Sequence, residues 1–236
     1  MSKKILAFDF ETANLPPDNS SVAFPVELAM LLIDADKLAI ETTFHRYIKL
    51  PATVEMSKEA QKTHGLTPKF LAENGVNFWE VSGGIQEWLA ANGIMLPDGG
   101  PWDKDRANKL IPLGQNVVQF DLPILRKLMG GTASTVFTRS AIDTMLIAEF
   151  INTACRHAFG YDGMPFRHPT TGYPSSSLAA QMNGLDINPE GHHGAMFDVV
   201  TTFEIFKKHI ENYGVDLKKS AAFTASGAIL PEKPLY

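Results

Sequence analysis

The chain has 236 residues, 44% hydrophobic and 20% charged, which suits one large α/β core and excludes a largely disordered protein. A net charge of −5 argues against a protein that grips long nucleic acid through many phosphates, but leaves room for an enzyme that holds only a strand end. Cys155, the single cysteine, allows no intrachain disulfide, and no apolar run reaches a membrane span of about 20 residues; a reducing, cytoplasmic setting away from membranes is expected.

The first predicted element is a strand from Ile5 to Thr12. It is apolar on both faces up to Phe8, as in a buried central strand. Asp9 and Glu11 then fall on one side of it, roughly 7 Å apart at their Cα atoms. Two ionised acids at the end of a buried strand repel each other and are poorly solvated. A hard divalent cation would compensate; so would a strand that ends in water with both acids solvated. Both readings stay open on this segment alone.

A Pro- and Asn-rich loop over 13–25 leads to strands over Val26–Ile33 and Ile40–Leu50, joined by a short turn at Asp34–Lys37 and hence antiparallel. Ser57 caps a helix from Lys58 to Thr63 that Gly65 stops, and Thr67-Pro68 opens another. Phe78, Val81, Ile85, Trp88 and Leu89 recur at helical spacing over 78–91, with Gly83-Gly84 a predicted weak point. The segment 97–108 reads as a polar excursion, Lys109–Leu113 as a short strand, and Asp121 opens a helix that stops at Gly130-Gly131. A strand over Val136–Asp143, a helix over Thr144–Asn152, a long loop over 156–175 and a short helix over Ser176–Met182 follow. The last long helix spans Gly194–His209, and a loosely held tail closes the chain.

Two later segments carry further acids. Asp121 stands at the head of a helix just after a strand, where an acid also serves as an ordinary N-terminal cap. Asp198 lies in a helix whose inner face is otherwise apolar, preceded by His192 and His193.

Together, Asp9-Phe10-Glu11, then Phe120-Asp121, then His193 followed by four residues and Asp198 resemble the three motifs of the DEDDh, or DnaQ-like, 3′→5′ exonucleases of the RNase H-like superfamily. The resemblance runs from Ile5 to about His209 and includes Leu50-Pro51, His64-Gly65-Leu66-Thr67, Ile142-Asp143-Thr144 and Ser177-Leu178. One departure is Gln115-Asn116, where members often carry His-Asn. The resemblance implies an α/β, RNase H-like exonuclease fold: a central mixed sheet with its first three strands antiparallel, flanked by helices. It implies a domain over 1–212 and a C-terminal tail over 213–236.

It also implies a metal-dependent exonuclease that removes nucleoside 5′-monophosphates from the 3′ end of single-stranded DNA, or of RNA. Asp9, Glu11, Asp121 and Asp198 would hold two Mg²⁺ or Mn²⁺ ions, and His193 rather than His192 would be the general base. Phe10, Thr12, His64, Leu66 and Asn116 are the implied substrate contacts, although strand alternation turns the Phe10 side chain away from the acids and into the core. The partners implied are nucleic acid 3′ ends, with a polymerase or a second copy of the chain as candidates. A proofreading subunit and a catalytically dead end-binding module are the competing readings. A dinucleotide enzyme is disfavoured, since no Gly-x-Gly-x-x-Gly follows the first strand.

Overall fold

The structure, a computed structural model, describes residues 3–15, 23–95, 109–188 and 193–216. The first strand, β1 (Lys4–Thr12), lies in the middle of a five-stranded sheet of order β3-β2-β1-β4-β5. β2 (Pro25–Asp34) pairs antiparallel with β1 and with β3 (Ala39–Tyr47), while β4 (Ile111–Gly114) runs parallel to β1 and to the two-residue β5 (Ile142–Asp143). The expected mixed sheet with three antiparallel strands is therefore present. β1 is the strand at which the sheet changes from antiparallel to parallel pairing.

Period-2 alternation sorts the sheet's side chains into two cores. Leu6, Phe8, Phe10, Leu28 and Met30 face a layer that includes α3 (Phe78–Ala91) and α4 (Asp121–Met129). Ile5, Ala7, Ala29, Leu31 and Ile33 face α6 (Thr144–Phe159) and α8 (Ala195–Tyr213). Asp9 and Glu11 continue the second set, so they emerge on the α8 side of the sheet at the carboxyl end of β1. Burial on both faces explains why β2 is buried at all ten positions. Each such apolar side chain contributes about 1.5–3 kcal/mol, and the sum holds the acids in a place they would not choose.

Smaller helices complete the chain: α1 (Lys58–His64) and α2 (Pro68–Asn74) after β3, α5 (Ala133–Val136) after α4, and α7 (Leu178–Gly184) before α8. Ser57, Thr67 and Ser177 cap α1, α2 and α7 through their side chains.

Five expectations are corrected. Gly83-Gly84 does not break α3, which runs unbroken over fourteen residues; a Cβ at Gly84 would make only an ordinary 3.5 Å contact with the Phe44 ring, so neither glycine is required by close approach. The strand expected over 136–143 shrinks to Ile142–Asp143, because Val136 belongs to α5 and Thr138 turns back to donate to the Ser140 carbonyl at 2.6 Å. The helix expected to end at Asn152 continues to Phe159 and stops at Gly160, whose φ of 78° favours glycine. The rest of the expected 156–175 loop is not a plain surface loop: Phe166 is fully buried, and its backbone exchanges two 3.0 Å hydrogen bonds with the side chain of Asn152. The last helix also extends past 209 to Tyr213, the first residue assigned to the tail, and Gly214 ends it. The excursion over 97–108 and the tail beyond 216 lie outside the described residues.

Candidate metal centre and active-site cleft

The turn from β4 into α4 and the start of α8 meet at the carboxyl end of β1. In open α/β sheets that end, next to a switch in strand direction, is where ligands bind. Gly114 closes β4 tightly against it. A Cβ there would sit 2.7 Å from the Val117 side chain and 3.2 Å from the Phe8 carbonyl, so only glycine lets the chain turn here. Asp143, the N-cap of α6, then holds that turn by accepting from the backbone N–H groups of Asn116 at 3.0 Å and Val118 at 3.4 Å.

The turn delivers Asp121 to the site as the first residue of α4. Its carboxyl reaches across to the strand: Oδ1 accepts the Phe10 backbone N–H at 3.0 Å, between Asp9 and Glu11. From the other side, α8 presents Asp198 in its first turn. Carboxylate oxygens of Asp9, Glu11 and Asp198 lie within 4.8 Å of one another. His193 precedes the helix with a φ of 75°, and its backbone N–H donates to Asp198 Oδ1 at 3.4 Å. A single cleft is lined by Asp9, Glu11, Asp121, Asp198 and His193, with Asn116 at its edge. The structure thus brings together all five residues of the motif set; His192 lies outside the described residues.

The electrostatics follow from that crowding. Burial first, then the charges of Asp121, Asp198, Glu11 and Glu27, hold the Asp9 proton affinity well above the ordinary carboxylate range. Burial, with Asp198 and Glu27, pushes Glu11 up to about 8. Asp121 is also raised, chiefly by burial and against the opposing hydrogen bond from Phe10. Among the described residues that line the cleft there is neither Lys nor Arg. An all-oxygen donor set, crowded and partly buried, is the kind that a hard divalent cation occupies.

The expected substrate contacts divide. Asn116 sits in the cleft at a φ of 56°, and its Oδ1 is buried without a hydrogen-bond partner. Phe10 is 4% exposed, with its ring in the core beside Phe8. Thr12, His64 and Leu66 form a neighbouring cluster: His64 Nε2 donates to the Thr12 carbonyl at 3.3 Å, and its Nδ1 accepts the Leu66 N–H at 3.1 Å. Gln115, standing where histidine is common, is committed elsewhere. Its Oε1 accepts from Thr144 Oγ1 at 2.6 Å and Gln181 Nε2 at 2.9 Å, and its Nε2 donates to the Ser176 carbonyl at 2.8 Å.

One acid escaped the sequence reading. Glu27 of β2 pairs directly with Glu11 across the sheet and is buried. A lone acid in an otherwise apolar strand is the signal that could have found it.

An α/β fold with carboxylates gathered at the carboxyl end of its central strand defines a protein with a candidate cation site. Residues 6–129 match the family model of the RNase T exonucleases, and the chain belongs to that exonuclease family. No curated protein sequence matches it. Among solved structures, E. coli exonuclease I in complex with a dT13 oligonucleotide superimposes with a TM-score of 0.66 at 19% identity, covering 89% of this chain and 41% of that one. An exonuclease I from Methylocaldum szegediense gives 0.65 at 20% identity, covering 93% and 42%. At such identities the likeness is one of fold, and this chain spans about two fifths of those proteins' length. Among the described residues no helix is long and apolar enough to cross a membrane.

The raised acids yield a prediction with a definite sign. Glu11 binds its proton more tightly in the folded chain than at its ordinary value of 4.5, so ionising it costs stability. That cost is absent below about pH 4.5 and complete above about pH 8, and metal-free stability falls across the window. In EDTA the protein should melt lower at pH 8 than at pH 6, and millimolar Mn²⁺ should close most of the gap. Glu11→Gln should flatten the metal-free dependence. Melting curves indifferent to both pH and Mn²⁺ would contradict a preformed, self-repelling site.

Proposed function

We propose that the protein is a metal-dependent 3′→5′ exonuclease that hydrolyses single-stranded DNA from its 3′ end and releases nucleoside 5′-monophosphates. The observation that carries this reading is the convergence of Asp9, Glu11, Asp121, Asp198 and His193 on one cleft in a chain of an exonuclease family. Asp9, Glu11 and Asp198 would hold one divalent cation, and Asp9 with Asp121 a second, Mg²⁺ or Mn²⁺. Bound there, such ions neutralise charge on the attacking and leaving oxygens of an in-line displacement.

The chain's own groups supply the rest. His193, at the mouth of the cleft, takes the proton from the attacking water, a role suited to an imidazole near neutral pH. The P–O3′ bond breaks, the penultimate nucleotide keeps its 3′-hydroxyl, and the terminal one leaves with the 5′-phosphate. The Phe10–Asp121 hydrogen bond fixes the two motifs relative to each other before substrate arrives. Asn116 Oδ1 is an acceptor in need of a donor, which a nucleotide hydroxyl or base amino group would provide. Backbone at Thr12 with His64 and Leu66 would border the terminal nucleoside, and Phe10 would contribute from behind by packing rather than by direct stacking.

Single-stranded DNA is preferred as substrate because E. coli exonuclease I, of like fold, was crystallised with a deoxyoligonucleotide. A net charge of −5 agrees with hold on a strand end rather than on a long duplex. Chromatography of the products from single-stranded DNA, duplex DNA and RNA of equal length tests the reading. Nucleoside 5′-monophosphates released fastest from single-stranded DNA are expected; 3′-monophosphates or internal fragments would contradict it.

A further inference from the structure

We infer that Glu27 is a positioning residue for the proposed reaction: it clamps the start of α8 to the sheet and thereby fixes His193 and Asp198 relative to Glu11. The inference rests on the nuclease reading above but on different residues. Glu27 stands directly opposite Glu11 in the antiparallel pair, an arrangement of like charges that weakens a sheet. Something must offset that cost, and two groups do. His45 Nε2 donates to Glu27 Oε1 at 2.7 Å from the neighbouring strand. The Ala195 backbone N–H donates to Glu27 Oε2 at 3.3 Å in a buried setting, from a residue 168 positions later in the chain.

Ala195 is the first residue of α8, and its N-cap, Gly194, has no side chain with which to satisfy the helix's open N–H groups. Glu27 supplies the missing acceptor from the sheet, where its charge also suits the helix N-terminus. His193 lies two residues before that bond and Asp198 three residues after it. Their reach to Glu11 therefore depends on that carboxylate together with the packing of Ala195 and Val199 against the sheet. Glu27 itself is not one of the acids whose oxygens converge to form the candidate cation site. Its carboxylate is occupied by His45 and the helix.

The test compares Glu27→Ala, Glu27→Gln and Asp34→Ala in the full chain. Glutamine can still accept from Ala195 and, with the other His45 tautomer, donate to that ring, so it keeps the clamp without the charge. Asp34 lies at the opposite end of the same strand, roughly 23 Å away, bonded to Lys4 and to the turn N–H groups of Asp36 and Lys37. Its loss weakens the sheet without touching the cleft. Below the melting point of all variants, Glu27→Ala should lower kcat on a single-stranded oligonucleotide by about 10- to 100-fold, the effect of misplacing a reacting group by about 1 Å. KM should stay within about threefold, Glu27→Gln should recover most of the rate, and Asp34→Ala should match the parent.

A second measurement does not depend on turnover: the rise in melting temperature on adding Mn²⁺ should shrink in Glu27→Ala and persist in the other two variants. Equal kcat in Glu27→Ala and Asp34→Ala, a glutamine variant as impaired as the alanine one, or an unchanged Mn²⁺ shift in Glu27→Ala would overturn the inference. If the parent cleaves no nucleic acid, the functional reading fails while the Mn²⁺ shifts still decide the role of Glu27.

Discussion

Asp9→Asn is expected to reduce nuclease turnover by about 10³ or more. Asp9 sits at the centre of the cluster, where Asp121, Asp198, Glu11 and Glu27 all act on its charge. It is the one acid assigned to both cations. Charge stabilisation by a bound cation is worth several kcal/mol in such displacements, and each 1.36 kcal/mol is tenfold in rate. The same substitution removes one member of a repelling group, so the metal-free variant should be as stable as the parent or slightly more so. Loss of activity with retained or improved melting, and with no Mn²⁺-induced shift, is the combined signature. A variant that loses activity only because it unfolds would contradict the assignment.

The second large effect belongs to His193. His193→Ala should keep the Mn²⁺ shift and binding of the strand end but lose on the order of 10²–10⁴ in turnover, the usual contribution of a general base. The parent's rate should rise with pH through a group near neutrality, and that limb should vanish in the variant. His192→Ala serves as the comparison and should stay within a few-fold of the parent. The register of the third motif favours His193, and its backbone bond to Asp198 places it beside the carboxylates. If His192→Ala were instead the inactive protein, the register would be wrong by one residue.

What could be read from the sequence was what depends on local periodicity. Alternation along the first strand put Asp9 and Glu11 on one side and Phe10 on the other, and the structure keeps that separation across two distinct cores. Ser57 and Thr67 marked helix starts because a cap is a contact within three residues. The errors came where tertiary contacts override local preference. Nothing near Asn152 signals that its side chain will hold Phe166 and draw the following segment into the core. Gly83-Gly84 is a poor helix pair in isolation, yet burial of Val81, Ile85 and Leu89 carries the helix through. The lone acid in an apolar strand marked Glu27, but its role was illegible for the same reason. Its meaning appears only when β2 pairs in register with β1 and a helix from the far end of the chain docks on it.

The central claim, that these carboxylates hold the cations for strand-end hydrolysis, is tested most directly by one time course. A single-stranded oligonucleotide labelled at its 5′ end is incubated with the protein in Mg²⁺, in EDTA, and in EDTA followed by excess Mg²⁺. The account predicts a ladder that shortens one nucleotide at a time from the 3′ end in Mg²⁺, stops in EDTA and resumes when Mg²⁺ is restored. Degradation undiminished in EDTA, or immediate loss of the 5′ label as a mononucleotide, would contradict it.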